Sequence, residues 1–175
     1  MSMVHEEMTL STASDRETAA LGQRIGRHLT AGATVALVGN LGAGKTWLAK
    51  GLVRGVGEYD EELVKSPAFN LVHEYLIPRD GGILPVYHMD FYRLDELNDT
   101  DAILFGEYLD NPKAICIVEW ADKFLAELVP SHLLIQIATS DDDANHRDFR
   151  IQKIGNDDRY EAVLKELAAT ETHGS

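Results

Sequence analysis

The chain has 175 residues, 45% of them hydrophobic, which fits one compact domain with a substantial core and leaves little room for a second catalytic domain. Sixteen Lys and Arg against 29 Asp and Glu give a formal charge of −13, so the surface as a whole repels polyanions and direct, unaided nucleic-acid binding is disfavoured. No signal-peptide pattern or membrane-length apolar run occurs, and the lone Cys116 lies in the apolar run 114–118 as a packing thiol, so a cytoplasmic protein without internal disulfides is expected.

Residues 1–10 are expected to be loosely ordered. Ser14-Asp15-Arg16-Glu17 is a capping box that starts a helix through about Leu29, with Leu21, Ile25 and Leu29 recurring on one face. Ala31-Gly32-Ala33 ends that helix, and residues 34–38 form the first core strand. The run Gly39-Asn40-Leu41-Gly42-Ala43-Gly44-Lys45-Thr46 then matches G-x-x-x-x-G-K-[ST]. It stands between that strand and a second helix over 45–56, closed by Gly57. Glycines let the backbone wrap an anion with its N–H groups pointing inward, and the positive end of the following helix aims at the same place. Leu41, Gly42, Ala43 and Gly44 are thus candidates to cradle a nucleoside triphosphate. Lys45 reaches the β- and γ-phosphates in this pattern, and Thr46 places its hydroxyl on Mg²⁺. Gly51 and Gly55, four apart on the second helix, suit close helix-to-sheet packing.

Between residues 58 and 90 the composition changes. An acidic loop over 58–62 precedes Lys65-Ser66-Pro67-Ala68, a β-rich stretch over 69–77, the turn Pro78-Arg79-Asp80-Gly81-Gly82, and a second stretch over 83–88. This is a hairpin signature, and it predicts a mixed sheet instead of an all-parallel one. Helical character returns near 95–110, a buried central strand follows over 114–118, and further strands are expected over 133–138 and 149–154. Asp141-Asp142-Asp143 between the last two is a solvated turn, with a metal site as the alternative. A helix over 160–168, with Ala162, Leu164, Leu167 and Ala168 on one face, closes the chain, and 169–175 are expected to be flexible.

Phosphoryl chemistry needs a carboxylate at the end of a neighbouring core strand, holding Mg²⁺ opposite the loop hydroxyl. Glu119 stands at that place; an ordinary surface glutamate at a strand end is the alternative. In His88-Met89-Asp90-Phe91-Tyr92-Arg93, Asp90 is the candidate for orienting or activating an attacking water, His88 shares its strand face, and Arg93 offers charge to phosphates or a carboxylate. A turn or cap role rivals the first, and structural hydrogen bonding rivals the second. Ser66 occupies the chain position from which switch segments sense a γ-phosphate, against a plain proline-marked loop.

Four motifs together resemble the TsaE family, also called YjeE, the small bacterial P-loop ATPases of tRNA threonylcarbamoyladenosine synthesis. They are Leu-Gly-Ala-Gly-Lys-Thr at 41–46, Ser-Pro-Ala-Phe at 66–69, His-Met-Asp-Phe-Tyr-Arg-Leu at 88–94 and Val-Glu-Trp at 118–120. The resemblance implies a P-loop NTPase-like three-layer α/β fold with a mixed, mostly parallel sheet and a hairpin insertion. It also implies a slow, ATP- and Mg²⁺-dependent ATPase acting with TsaD and TsaB in threonylcarbamoyl transfer to adenosine 37 of tRNAs reading codons that begin with A. Such a protein stands beside the transferase and meets tRNA only through the complex, which agrees with the acidic surface. By the same resemblance Lys45 and Thr46 serve phosphate and magnesium, Glu119 is the other magnesium carboxylate, and Asp90 is needed for hydrolysis. Trp120 lies beside the nucleotide in such proteins, where its sequence context alone suggests core packing, and Ser14 gains a nucleotide contact besides its capping role. Ala68 departs from the threonine usual in the family, which moves γ-phosphate sensing towards Ser66 or slows hydrolysis.

Two other enzyme classes and one binding module compete. A small-molecule kinase usually carries an arginine-rich lid, and no clustered arginines follow Glu119. A GTPase is disfavoured because neither Asn-Lys-x-Asp nor a metal-site Asp-x-x-Gly occurs. In a nucleotide-gated binding module, occupancy would switch partner affinity and turnover would be incidental.

Overall fold

The structure is a computed structural model, and the residues described are 6–40, 42–67, 71–91, 98–120, 125 and 129–171. Among them are strands β1 (Glu7–Thr12), β2 (Thr34–Gly39), β3 (Val72–Arg79), β4 (Gly82–Asp90), β5 (Ile115–Glu119), β6 (His132–Thr139) and β7 (Arg147–Ile154). The helices are α1 (Asp15–Gly26), α2 (Lys45–Val56), α3 (Asp99–Leu109) and α4 (Glu161–Glu171). One sheet in the order β1-β7-β6-β2-β5-β4-β3 joins all the strands. The inner four, β6, β2, β5 and β4, pair in parallel, while β3, β7 and β1 add antiparallel pairings at the two sides. The sheet is therefore mixed, and most of its strands run one way.

Burial on both faces explains the unbroken apolar run Ile115-Cys116-Ile117-Val118 of β5, since helices cover a parallel core from either side. Leu21 and Ile25 of α1, Leu48 and Leu52 of α2, and Leu164 and Leu167 of α4 join one core with inward residues of the sheet. Phe105 and Leu109 of α3 pack with Tyr87, Met89, Cys116 and Val118 in the core of the opposite face. Period-2 alternation assigns β4 and β5 side chains to these two cores, so Val86, His88 and Asp90 share a face with Ile115, Ile117 and Glu119. Apolar residues give way to polar ones towards the strand ends, on the face that carries α2.

Several elements differ from the sequence expectation. Residues 7–12 are not loose: β1 lies against β7, with Met8 buried. Its short alternation is a weak signal, and its partner lies far along the chain. The capping box forms as expected, with Ser14 Oγ accepting from the Glu17 N–H at 3.1 Å and Glu17 Oε2 from the Ala13 N–H at 2.7 Å. The helix itself stops at Gly26, and Leu29 is buried from the turn that follows. The hairpin turn contracts to Asp80-Gly81, both at positive φ (52° and 78°), as a type I′ turn requires; Pro78 and Arg79 belong to β3. β4 continues to Asp90, and α4 runs to Glu171, past the expected stop at 168. Gly51 and Gly55 face α1 and not the sheet, because the two helices cross with backbone against backbone.

Burial raises the Cys116 thiol to about 12, and the Tyr75 phenol to about 12. A group whose folded value is raised favours its neutral form in the fold. Stability therefore holds below the unfolded value of about 8.5 for Cys and 10 for Tyr, and falls as pH rises from there towards 12. Denaturant midpoints are expected to drop across that alkaline window, and an alkylating reagent at pH 8 should label Cys116 only after unfolding.

Candidate phosphate-binding site

β2 is the topological switch point, since its neighbours β5 and β6 both come much later in the chain. The loop leaving it turns at Gly42 (φ 79°) and Gly44 (φ 103°), left-handed conformations that favour glycine. Ala43 N–H donates to Asn40 O at 2.9 Å, and Gly44 caps α2 without any side-chain hydrogen bond. The N-terminal amides of α2 thus have no capping side chain in competition with an anion.

Lys45 folds back over this loop. Its ammonium donates to Gly39 O at 2.7 Å and Asn40 O at 2.8 Å, and lies 4.3 Å from the centre of the Trp120 ring. Trp120 follows Glu119 at φ 57°, a left-handed conformation that costs a non-glycine residue on the order of 1 kcal/mol. That turn ends β5 and coincides with the ring's position beside Lys45, so Trp120 is more than the core residue its local sequence suggests.

Glu119 and Asp90 are paired across β5 and β4, and both are buried, at 2% and 5% exposure. Ser66 Oγ donates to Asp90 Oδ2 at 2.9 Å, which fastens the loop before β3 to the end of β4. The Asp90 N–H donates to Leu71 O at 3.1 Å, and the Phe91 N–H to Glu119 O at 3.1 Å. His88, fully buried, lies with Nε2 2.9 Å from Glu119 Oε2 and Nδ1 3.3 Å from the Tyr75 hydroxyl. A carboxylate only accepts, so Nε2 is the donor to Glu119. With the Tyr75 proton directed at His88 Nδ1, the Tyr75 oxygen accepts from the Lys65 N–H at 3.4 Å, next to Ser66. Hydrogen bonds therefore join the Ser66 loop to Asp90 directly, and to Glu119 through Tyr75 and His88.

The structure thus brings Lys45, Trp120, Glu119, Asp90 and Ser66 to the carboxyl ends of β2, β5 and β4. Thr46 occupies the second position of α2, and Ser14 caps α1, whose Asp15 reaches the loop's neighbourhood through Arg147. Leu41, Ala68 and Arg93 lie outside the described residues. Asp143 Oδ1 accepts from the Asn145 N–H at 2.9 Å in an ordinary turn, and the described residues contain no group of three or more His, Cys, Asp or Glu placed to hold a metal. The hydroxyl of Thr46 and the carboxylate of Glu119 are hard oxygen donors, the kind Mg²⁺ takes in small number when phosphate oxygens and water complete its shell. Tyr75 and Arg147 have no motif of their own, and no local signal in the sequence singles them out.

A glycine-rich loop between a central parallel strand and a helix, with a lysine folded over it and a carboxylate at the adjacent strand end, defines a protein of the P-loop NTPase fold. The family described as "Threonylcarbamoyl adenosine biosynthesis protein TsaE" matches residues 12–149, and the chain belongs to that family. It is similar to the tRNA threonylcarbamoyladenosine biosynthesis protein TsaE of Bacillus subtilis, 32% identical over 163 residues that cover 93% of this chain and 95% of that protein. The protein of the same name from Treponema pallidum is 38% identical over 69% of this chain and 84% of its own length. Among solved structures, the crystal structure of Bacillus subtilis YdiB superposes with a TM-score of 0.71 at 31% identity, covering 94% of this chain and 96% of that one. Among the described residues, no helix is long and apolar enough to cross a membrane.

Proposed function

We propose that this protein is a slow, Mg²⁺-dependent ATPase that serves threonylcarbamoyl modification of adenosine 37 in tRNAs reading codons that begin with A, acting in the cytoplasm with TsaD and TsaB. The observation that carries the reading is the meeting of Lys45 with Trp120 at the phosphate loop, directly after Glu119, which pairs with the Ser66-bound Asp90 on the adjacent strand. Family membership supports the pathway, and a net charge of −13 supports a protein that leaves tRNA contact to its partners.

The reaction is phosphoryl transfer to water, in which the protein's task is positioning and charge stabilisation. Backbone amides of residues 41–46 hold the phosphate oxygens, and Lys45 exchanges its loop carbonyls for the β- and γ-phosphates. Thr46 and Glu119 would hold Mg²⁺, with His88 fixing the orientation of the Glu119 carboxylate. Mg²⁺ held there would supply neutralisation of charge on the phosphate oxygens. Asp90 orients the attacking water, and Ser66 holds Asp90 while sensing the γ-phosphate. Trp120 packs beside the nucleotide, and Ser14 approaches it from the start of α1.

Calorimetric titration tests the site. Lys45→Met is expected to weaken MgATP binding about 100-fold, as loss of a buried charge-assisted contact to phosphate should. Assays of ATP hydrolysis alone and with purified TsaD and TsaB test the function, and stimulation by the partners is the expected result. Full affinity in Lys45→Met would remove the site, whereas no stimulation and no nucleotide-dependent complex would remove the partnership.

A further inference from the structure

Arg147 opens β7 at the same end of the sheet as the phosphate loop, and the residue is buried at 7% exposure. Its Nε donates to Ala43 O at 2.8 Å, Nη1 donates to Asn145 O at 3.1 Å, and Nη2 lies 3.1 Å from Asp15 Oδ1. That Asp15 oxygen is itself buried and makes no well-directed hydrogen bond, so the ion pair with Arg147 is what offsets its burial. A Cβ placed on Gly44 would come within 2.6 Å of Arg147 Nε, so the guanidinium lies directly against the loop backbone. Thr12 stands opposite Arg147 across β1 and β7, and its hydroxyl is 2.8 Å from that of Thr18 in α1. One side chain thereby joins the start of β7, the first turn of α1 and the middle of the phosphate loop.

In a trans peptide the C=O and N–H point in opposite directions. A guanidinium that holds the Ala43 carbonyl therefore turns the Gly44 N–H away from itself. We infer that Arg147 is a positioning residue for nucleotide binding: it sets the Ala43–Gly44 peptide so that the Gly44 N–H faces the phosphates, and through Asp15 it ties that setting to the N-terminus of α1. The inference rests on the nucleotide reading of the loop. The planar fork of arginine reaches three differently directed acceptors at once, which the single ammonium of lysine does not reproduce.

The test uses the full chain carrying Arg147→Lys, Arg147→Met or Asp15→Asn. Without nucleotide, the Ala43 amide that donates to Asn40 O reports the order of the loop. Its hydrogen exchange is expected to speed up about tenfold in both Arg147 variants and less in Asp15→Asn, with α4 unchanged. MgATP, added to the same samples, is expected to bind about tenfold more weakly to Arg147→Met, with Arg147→Lys recovering only part of the loss. A purely structural arginine would instead speed exchange throughout β1 and β7 without singling out the loop. Unchanged Ala43 exchange in both Arg147 variants, or exchange raised evenly through β1 and β7, overturns the inference. Loop exchange raised selectively in the Arg147 variants, together with a wild-type protein that fails to bind MgATP, supports the role of Arg147 in setting the loop and sinks the nucleotide reading instead.

Discussion

Asp90→Asn is expected to leave MgATP affinity within about threefold of wild type while lowering the rate of hydrolysis about 100-fold, the usual scale for losing a group that orients or activates a reacting water. The separation follows from position. Asp90 closes β4 beside Glu119 and accepts from Ser66, with β5 standing between it and the loop and lysine proposed to hold the phosphates. Asparagine keeps the volume and an acceptor for Ser66, so packing changes little, but it removes the charge proposed to polarise water. Single-turnover hydrolysis and calorimetry on the same preparation read the two effects. Turnover equal to wild type would end the assignment of Asp90. Lost turnover with tRNA modification intact would favour a nucleotide-gated binding module, in which occupancy and not hydrolysis does the work.

Gly51→Ala is expected to destabilise the protein by on the order of 3 kcal/mol, lowering the melting temperature by roughly 10 °C. A Cβ at Gly51 would stand 2.0 Å from Ala19 O and 2.9 Å from Ala19 C, both backbone atoms of α1 that move only if the helices separate. Gly55 meets Gln23 O at 2.3 Å in the same way, while Gly22 and Gly26 of α1 meet Leu48 O at 2.4 Å and Leu52 O at 2.2 Å. Small residues four apart on both helices let them approach until backbone touches backbone. Gly106 is the control, because an added Cβ in the middle of α3 meets nothing within 4 Å. Gly106→Ala should raise stability by roughly 0.5–1 kcal/mol through helix propensity and reduced unfolded-state entropy. Thermal and denaturant unfolding of both variants check the contrast, and equal melting temperatures would mean that α1 and α2 are not packed this tightly.

The two glycine variants also mark where sequence reading stopped. The spacing of Gly51 and Gly55 signals a close approach, but not which surface is approached: helix α1, and not the sheet, lies against it. The actual partner, α1, presents Gly22 and Gly26, whose matching spacing lies 29 residues earlier and declares no pairing. The strand β1 carries little local signal for a related reason: an edge strand half open to solvent alternates only weakly, and its partner β7 is remote in sequence. The Asp80-Gly81 turn is legible as a hairpin signal, but its length is not, because Pro78 is tolerated in an edge strand.

What the sequence alone determined was local. The phosphate loop, the capping box at Ser14, the buried run of β5 and the hairpin each depend on residues within a few positions of one another, where backbone conformation and short-range hydrogen bonding set the rules. The acidic balance was likewise fixed by composition. Tertiary structure decided which of the candidate polar residues meet. It placed Asp90 against Ser66, linked His88 to both Glu119 and Tyr75, stood Lys45 over Trp120, and seated Arg147 on Ala43. These contacts depend on the order and register of seven strands, and spacing along the chain does not encode which strand will lie beside which.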